Sequence, residues 1–360
     1  MTGLYIHIPF CKKKCPYCGF FSTTNINEEL IEDYLNSIIK EAEARCVDYT
    51  FDTIYIGGGT PSVLPLNLLE TFLNKLLNII KDPIIEFTVE VNPESVSAEL
   101  IKVFYNHNVT RLSVGAQSFD DDVLILLGRI HNSVLIYKAL ENILKLYNTS
   151  QINIDLIYDI PLVPVKKITS SIKKVAGLNI GHISAYSFSH DTNFLIHFEE
   201  AFKEQFLLVK KLLTASDYEK YEISNFSKKG LNCIHNIKYW QMEDYIGLGV
   251  SAHSMQNKGS HRVRIANTNN IENYINNPLA NNSTEYVDLN DMVKESVIFG
   301  LRYLKGINLK NIKKLKSNHS IFNKINYLIE QDYLKLDEDN LALTEKGELF
   351  YNYCAQELWQ

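Results

Sequence analysis

No apolar run in this 360-residue chain comes near the roughly 18 residues a bilayer span needs, the longest being stretches such as Leu76 to Ile80. A membrane-spanning segment is therefore not predicted, and peripheral membrane contact is left open. Basic residues are not in excess: 36 Lys and Arg stand against 42 Asp and Glu, a net charge of −6. There is no global positive field to hold nucleic acid, so a nucleic-acid partner is not expected. Six cysteines in the whole chain are too few for a disulfide scaffold. Met1 runs within four residues into the strand-like Tyr5-Ile6-His7-Ile8. That leaves no room for the basic and apolar regions of a signal peptide and predicts a cytoplasmic protein.

What is present is globular. Hydrophobic residues make up 46% and charged residues 22%, which excludes disorder and low-complexity scaffolds. At roughly 150 residues per domain the length allows two domains. Up to about residue 190, short β-branched runs alternate with stretches of helical period. Strands are predicted at Leu4 to Ile8, Thr53 to Ile56, Ile85 to Val91, Arg111 to Val114, Ile152 to Tyr158 and His182 to Phe188. Between them Leu30, Ile31, Tyr34, Leu35, Ile38 and Ile39, and likewise Leu66, Leu69, Phe72, Leu73 and Leu76, recur at helical spacing. This alternation predicts an α/β fold, a partial (β/α) TIM-type barrel of about six parallel strands. A further helix is predicted at Phe202 to Leu213, then a strand at Tyr221-Glu222-Ile223. Residues 255 to 284, rich in Asn, Ser and Gly, read as loop around one short helix at Ile271 to Ile275.

Beyond that boundary the chain reads as helices at Met292 to Leu304, Leu309 to Leu315 and Ile321 to Glu330. A hairpin follows (Tyr333 to Leu336, Leu341 to Leu343), then a Thr344-capped helix from Glu345 to Leu358. These describe a small winged-helix-like domain, whose acidic hairpin Asp337-Glu338-Asp339 offers DNA nothing. The predicted divisions are 1–225 for the barrel, 226–284 for a connecting region and 285–360 for the C-terminal domain.

Three cysteines crowd into Cys11-Lys12-Lys13-Lys14-Cys15-Pro16-Tyr17-Cys18, directly after the first strand. Thiolates spaced C-x3-C-x2-C can occupy three corners of an iron–sulfur cubane and leave the fourth iron open to a ligand. The alternative is half a zinc site, for which a second Cys or His pair should lie nearby. Other polar residues fall where strands end: Gly57-Gly58-Gly59-Thr60, Glu90, Gln117 and Asp155. Glu90 lies in an otherwise apolar strand and needs a partner, either a ligand or an ion pair with Arg111 or Arg129.

Cys11-x3-Cys15-x-Tyr17-Cys18 resembles the signature of the radical S-adenosylmethionine (SAM) superfamily. Tyr5-Ile6-His7-Ile8-Pro9-Phe10, Tyr55-Ile56-Gly57-Gly58-Gly59-Thr60-Pro61-Ser62, Glu90-Val91-Asn92-Pro93-Glu94, Ser113 to Phe119, Leu127 to His131 and Ile154 to Tyr158 are similar to the oxygen-independent coproporphyrinogen III oxidase family. Within it they look most like the HemW haem-chaperone branch. The resemblance implies a 4Fe-4S cluster on Cys11, Cys15 and Cys18, with SAM chelating the open iron and being split, on reduction, to methionine and a 5′-deoxyadenosyl radical. It implies cofactor contacts at Tyr5, Tyr17, Gly57, Gly58, Gly59, Thr60, Glu90, Gln117, Arg129 and Asp155. It also implies an electron donor for the cluster.

A second constellation, Cys233 to Trp240, carries His235, Asn236, Tyr239 and Trp240 in the HNxxYW pattern of the HemW branch. It implies haem as a ligand and haem-accepting proteins as partners. An imidazole and two flat aromatics suit a macrocycle. A capped turn with packed aromatics is the alternative. His253 is another candidate near the cofactor and Cys233 an alternative thiolate. The expected function is a haem chaperone, the alternative coproporphyrinogen oxidative decarboxylation. Phe20 stands where the oxidase branch has a further Cys, and the long N-terminal arm of that branch is absent, both of which favour the chaperone. Gly19 replaces the usual Asp. Monomer and homodimer are both left open.

Overall fold

Six parallel strands carry the site. They are β1 (Thr2–Ile8), β2 (Phe51–Gly58), β3 (Glu86–Val91), β4 (Arg111–Gln117), β5 (Ile152–Tyr158) and β6 (His182–Ser187), each paired with the next in parallel register. The structure is a computed structural model that describes residues 1–188, 199–313 and 319–360. Leu4, Ile6 and Ile8, Ile54 and Ile56, Val89 and Val91 alternate with polar residues. These apolar positions share one core with Ile31, Leu35 and Ile38 of the helix Glu28–Arg45 and with Leu69, Phe72 and Leu73 of the helix Leu66–Ile79. The period of two thus turns one face toward the helices and leaves Tyr5, Tyr55, Glu90, Ser113 and Asp155 on the other. Asn27, Ser97 and Asn132 cap the helices after β1, β3 and β4 by accepting from free backbone N–H groups.

The sheet stays open. It continues past β6 through the antiparallel β8 (Asn225–Ser227) and β7 (Glu219–Lys220). On the other side β1 pairs in parallel with β9 (Tyr245–Leu248), which leads into an antiparallel meander of β10 (His253–Asn257), β11 (Arg262–Asn267) and β12 (Asn281–Val287). Two expectations are corrected here. Residues 255–284 hold parts of three strands, β10, β11 and β12, beside the one expected helix at Ile271–Asn276. Their signal is missing because β12 exposes six of its seven residues, so no apolar face marks it. The strand expected at Tyr221 to Ile223 is displaced into β7 and β8, Glu222 making only an isolated bridge to Tyr303. Residues 226–284 therefore extend the barrel's sheet, and Ile246, Leu248, Val250 and Tyr274 belong to its core.

The C-terminal module has its own core of Val293, Val297, Leu301, Ile321, Ile325, Leu341 and Cys354. It contains the helices Leu289–Gly300 and His319–Glu330 and a three-stranded sheet of Ile307–Asn308, Asn340–Leu343 and Leu334–Asp337. The helix expected over Leu309 to Leu315 is described at Leu309–Lys313, its last two residues lying outside the described residues. Thr344 accepts from the Gly347 N–H at 3.0 Å, as a cap should. The final helix is two, Glu345–Leu349 and Tyr351–Trp359, joined at Phe350.

Candidate functional site

At the C-terminal ends of the parallel strands lies a cavity of about 360 Å³, within the range of small-ligand sites. It is lined by all three motif cysteines and by Tyr17, Gly58, Gly59, Thr60, Glu90, Gln117, Arg129 and Asp155. The cysteine loop is fixed by backbone bonds from Cys11 N to Thr23 O (2.9 Å) and from Cys18 N to Cys15 O (3.1 Å). The glycine loop is zipped to it by Gly59 N to Ile8 O (2.7 Å) and Thr60 N to Phe10 O (2.8 Å). Cys11 is buried and Cys15 and Cys18 are half-buried. Burial pushes the Cys11 thiol up, and a hydrogen bond with Thr60 opposes that.

Two of the sulfurs have donors aimed at them. Asn92 Nδ2 donates to Thr60 Oγ1 at 2.8 Å, freeing the Thr60 hydroxyl for Cys11 Sγ at 3.5 Å. Arg129 Nη1 donates to Cys15 Sγ at 3.5 Å, and the Tyr17 hydroxyl also bonds that sulfur. The cavity lining holds no histidine and no cysteine beyond these three, so the second Cys or His pair that the zinc alternative expects is not found there. Three soft sulfurs set around one cavity, with hydrogen-bond donors behind them, fit an iron–sulfur cluster that keeps one iron open.

Glu90 accepts from the Tyr55 hydroxyl at 2.8 Å and from Gly58 N at 3.0 Å. It makes no ion pair with Arg111 or Arg129. Burial, reinforced by the neighbouring Asp155 carboxylate, pushes its pKa up to about 7. The glycines are shaped by these neighbours. A Cβ on Gly57 would fall 2.7 Å from the Glu90 carboxyl carbon, and Gly58 adopts φ +111° beside the His7 ring. Gly57 itself lies behind Glu90, outside the cavity lining. Asp155 is held by Ser113 Oγ (3.0 Å) and Asn153 Nδ2 (2.8 Å), and burial raises its pKa. Gln117, at φ +65° where the β4–β5 register shifts, ends its strand in a left-handed turn at the cavity. Arg129 also donates to Asn92 Oδ1 (2.6 Å) and Gly115 O (3.0 Å), while its buried Nε has no partner. Two half-buried carboxylates and an incompletely satisfied guanidinium suit a zwitterionic ligand that brings both an ammonium and a carboxylate, as SAM does.

Residues 5–170 match the radical SAM superfamily model and residues 287–350 the HemN C-terminal domain model. The heme chaperone HemW of Bacillus subtilis is 30% identical, over 98% of this chain and 97% of that protein; that of Lactococcus lactis subsp. lactis is 31% identical, over 96% and 94%. The chain belongs to the HemW family of radical SAM proteins. The structure of coproporphyrinogen III oxidase (HemN) from Escherichia coli superimposes with a TM-score of 0.82 at 21% identity, covering 99% of this chain and 89% of that one, which shows the shared fold.

Besides Gly57, five of the expected site residues of this HemW-family chain lie away from the cavity. Tyr5 sits a layer below, bonded to His7 Nδ1 at 3.0 Å and stacked on Tyr55. His235, Tyr239 and Trp240 form the helix Ile234–Trp240, which closes the opposite, N-terminal end of the barrel. Glu86 of β3 caps it, accepting from Ile234 N at 2.8 Å and His235 N at 2.9 Å. Both nitrogens of the buried His235 ring are engaged, by Thr53 Oγ1 and the Tyr239 hydroxyl at 2.9 Å each. Desolvation pushes its pKa down to about 3. As the helix stands, the ring has no nitrogen free for haem iron. Trp240 lies under the Arg302 guanidinium at 4.4 Å, joining the barrel floor to the C-terminal module. His253 is exposed on β10. Cys233 is fully buried against Glu86 at 3.3 Å. Conversely, Asn92, Tyr55 and Ser113 are site residues that sequence reasoning did not single out. Asn92 stood within the quoted Glu90 to Glu94 motif, and its link to Thr60 and Arg129 is visible only in three dimensions.

Proposed function

We propose that this chain is a haem chaperone that carries a 4Fe-4S cluster and SAM, binds haem and passes it to haem-accepting proteins. The observation carrying this reading is the identity of about 30% to heme chaperones named HemW across nearly the full length of both chains. Cys11, Cys15 and Cys18 would hold the cluster, and Glu90, Asp155 and Arg129 would hold SAM. When bound and reduced, the cluster supplies one-electron cleavage of SAM. The chain's own residues place charge: Glu90 and Asp155 offer anions to the ligand ammonium, Arg129 a cation to its carboxylate, and Tyr17 and Arg129 donate to the Cys15 sulfur. An external one-electron donor is part of this reading. Among the described residues no helix is long and apolar enough to cross a membrane, and acceptors met in the cytoplasm are proposed.

The test is to incubate anaerobically reconstituted protein with haem, SAM, reductant and an apo-haem protein, and in parallel with coproporphyrinogen III. Haem uptake and transfer without protoporphyrinogen is the expected result; catalytic formation of protoporphyrinogen would overturn it.

Glu90 gives a pH signature. With a pKa of about 7, its ionised form, the one that attracts an ammonium, grows as pH rises from 6 to 8. SAM affinity measured by calorimetry should therefore increase across that range. Glu90→Gln should weaken binding by about 1.5–3 kcal/mol at pH 8 and remove the pH dependence, leaving iron content unchanged. Wild-type affinity in the variant would take Glu90 out of the ligand site.

A further inference from the structure

The interior of a (β/α) barrel is usually packed with branched aliphatic side chains, yet beneath this cavity Asn153, His182 and Tyr221 are buried. They form one file of hydrogen bonds whose direction is forced from its upper end. The Asp155 carboxylate can only accept, so the Asn153 amide turns its Nδ2 to Asp155 Oδ1 at 2.8 Å and to Ser113 Oγ at 2.7 Å. Asn153 Oδ1 is thereby left facing His182 Nδ1 at 2.6 Å, and that nitrogen must carry the proton. Burial and the nearby Arg111 cation keep the ring neutral, so His182 Nε2 is an acceptor and takes the Tyr221 hydroxyl proton at 2.8 Å. The Tyr221 oxygen in turn accepts from Cys233 N at 3.2 Å. Cys233 stands at the head of the helix Ile234–Trp240. Every donor in the file therefore points toward Asp155, and Ser113 Oγ adds a further one at 3.0 Å. Asn153, His182, Tyr221 and Cys233 all lie outside the cavity lining, whereas Asp155 and Ser113 belong to it.

We propose that Tyr221 and His182 are positioning residues for the ligand site: through Asn153 they hold the Asp155 carboxylate in place and in its charged form, anchored on the head of the HNxxYW helix. A free amide can turn over and present oxygen where nitrogen was. Here that turn would set Asn153 Oδ1 against the carboxylate and Nδ2 against the His182 N–H, two repulsive contacts in a buried setting. The His182 tautomer thus fixes the Asn153 amide, and the Tyr221 hydroxyl fixes the tautomer. Of the charged groups facing Asp155, Arg111 favours its ionised form and Glu90 opposes it, while Tyr55, Tyr186 and Ser184 present hydroxyls. Burial already raises the Asp155 pKa, so loss of the donor that Asn153 aims at it raises it further. The proposal rests on the reading that Asp155 meets the SAM ammonium and adds to it the residues that set that carboxylate.

The experiment measures SAM affinity by calorimetry from pH 6 to 8 on the full chain, reconstituted anaerobically, with iron content and denaturant unfolding read on the same samples. Tyr221→Phe, which removes one hydroxyl, and His182→Leu, which removes both links of the ring, should each weaken SAM binding about three- to tenfold, the worth of one hydrogen bond. His182→Asn, whose amide N–H can reach Asn153 in place of Nδ1, should recover affinity relative to His182→Leu. Iron content should stay unchanged in all of them. The pH profile separates positioning from lost packing. Glu90→Gln is expected to be flat over this range; adding Tyr221→Phe to it should bring back a rise of affinity with pH, because Asp155 then gives up its proton only at higher pH. Affinity lowered by the same factor at every pH, in step with lost stability and without recovery in His182→Asn, would overturn the proposal and leave the file structural. Wild-type affinity in Tyr221→Phe and His182→Leu, with binding weakened by Asp155→Asn, would overturn it while sparing the reading of Asp155. Wild-type affinity in Asp155→Asn would remove that reading and this proposal with it.

Discussion

Replacing Cys15 by alanine should take anaerobically reconstituted protein from about four irons per chain to nearly none, because a cubane with three protein ligands does not survive on two. Cys46→Ala and Cys354→Ala should keep the iron. Cys46 ends the helix Glu28–Arg45 and Cys354 lies in the C-terminal core. Burial pushes both thiols up to about 12, so neither offers a thiolate at neutral pH. Iron and sulfide assays with the visible absorption of the cluster read the difference directly. Equal loss in all three variants would place the metal somewhere other than the Cys11–Cys18 loop.

The second large effect is on stability. His235→Ala removes a buried ring that bridges Thr53 and Tyr239, leaves both hydroxyls without that partner and opens a void at the barrel floor. The expected loss is about 2–4 kcal/mol, measured by denaturant unfolding. The native ring stays neutral down to about pH 3, while an unfolded histidine takes up its proton near 6.5. The wild type should therefore lose stability as pH falls through that window, and the variant less of it. Haem bound by the variant should keep its wild-type absorption spectrum. A shifted Soret band with unchanged unfolding would instead put haem iron on His235 and require the helix Ile234–Trp240 to leave its place.

Much of the site was legible because it is local in sequence. Three cysteines within eight residues can reach one cluster in almost any loop. A glycine run directly after a β-branched strand must emerge at the strand's C-terminal end. Glu90 stood out as an acid among apolar neighbours, but its partners were not readable. Tyr55 and Gly58 come from β2 and meet it only through the parallel β2–β3 register, while Arg129, one of the arginines that sequence offered instead, is directed to Asn92, Gly115 and Cys15. The meander β10 to β12 was invisible for a different reason: β12, at the solvated sheet edge, exposes six of its seven residues, and β10 and β11 bury adjacent or terminal residues rather than alternate ones, so no strand of the three carries a period of two.

The HNxxYW segment marks the boundary most clearly. Its residue types suit a macrocycle as well as they suit a packed plug, and composition cannot choose between them. Thr53, 182 positions earlier, and Glu86, 149 earlier, decide how His235 is held. By itself the sequence determined the strand order of the barrel, the cysteine loop and the family, since these depend on periodicity and short spacings. Only the tertiary structure decided which polar groups share the cavity and which seal the barrel floor. Those hydrogen bonds join side chains far apart in sequence, whose partners are set by sheet register and burial.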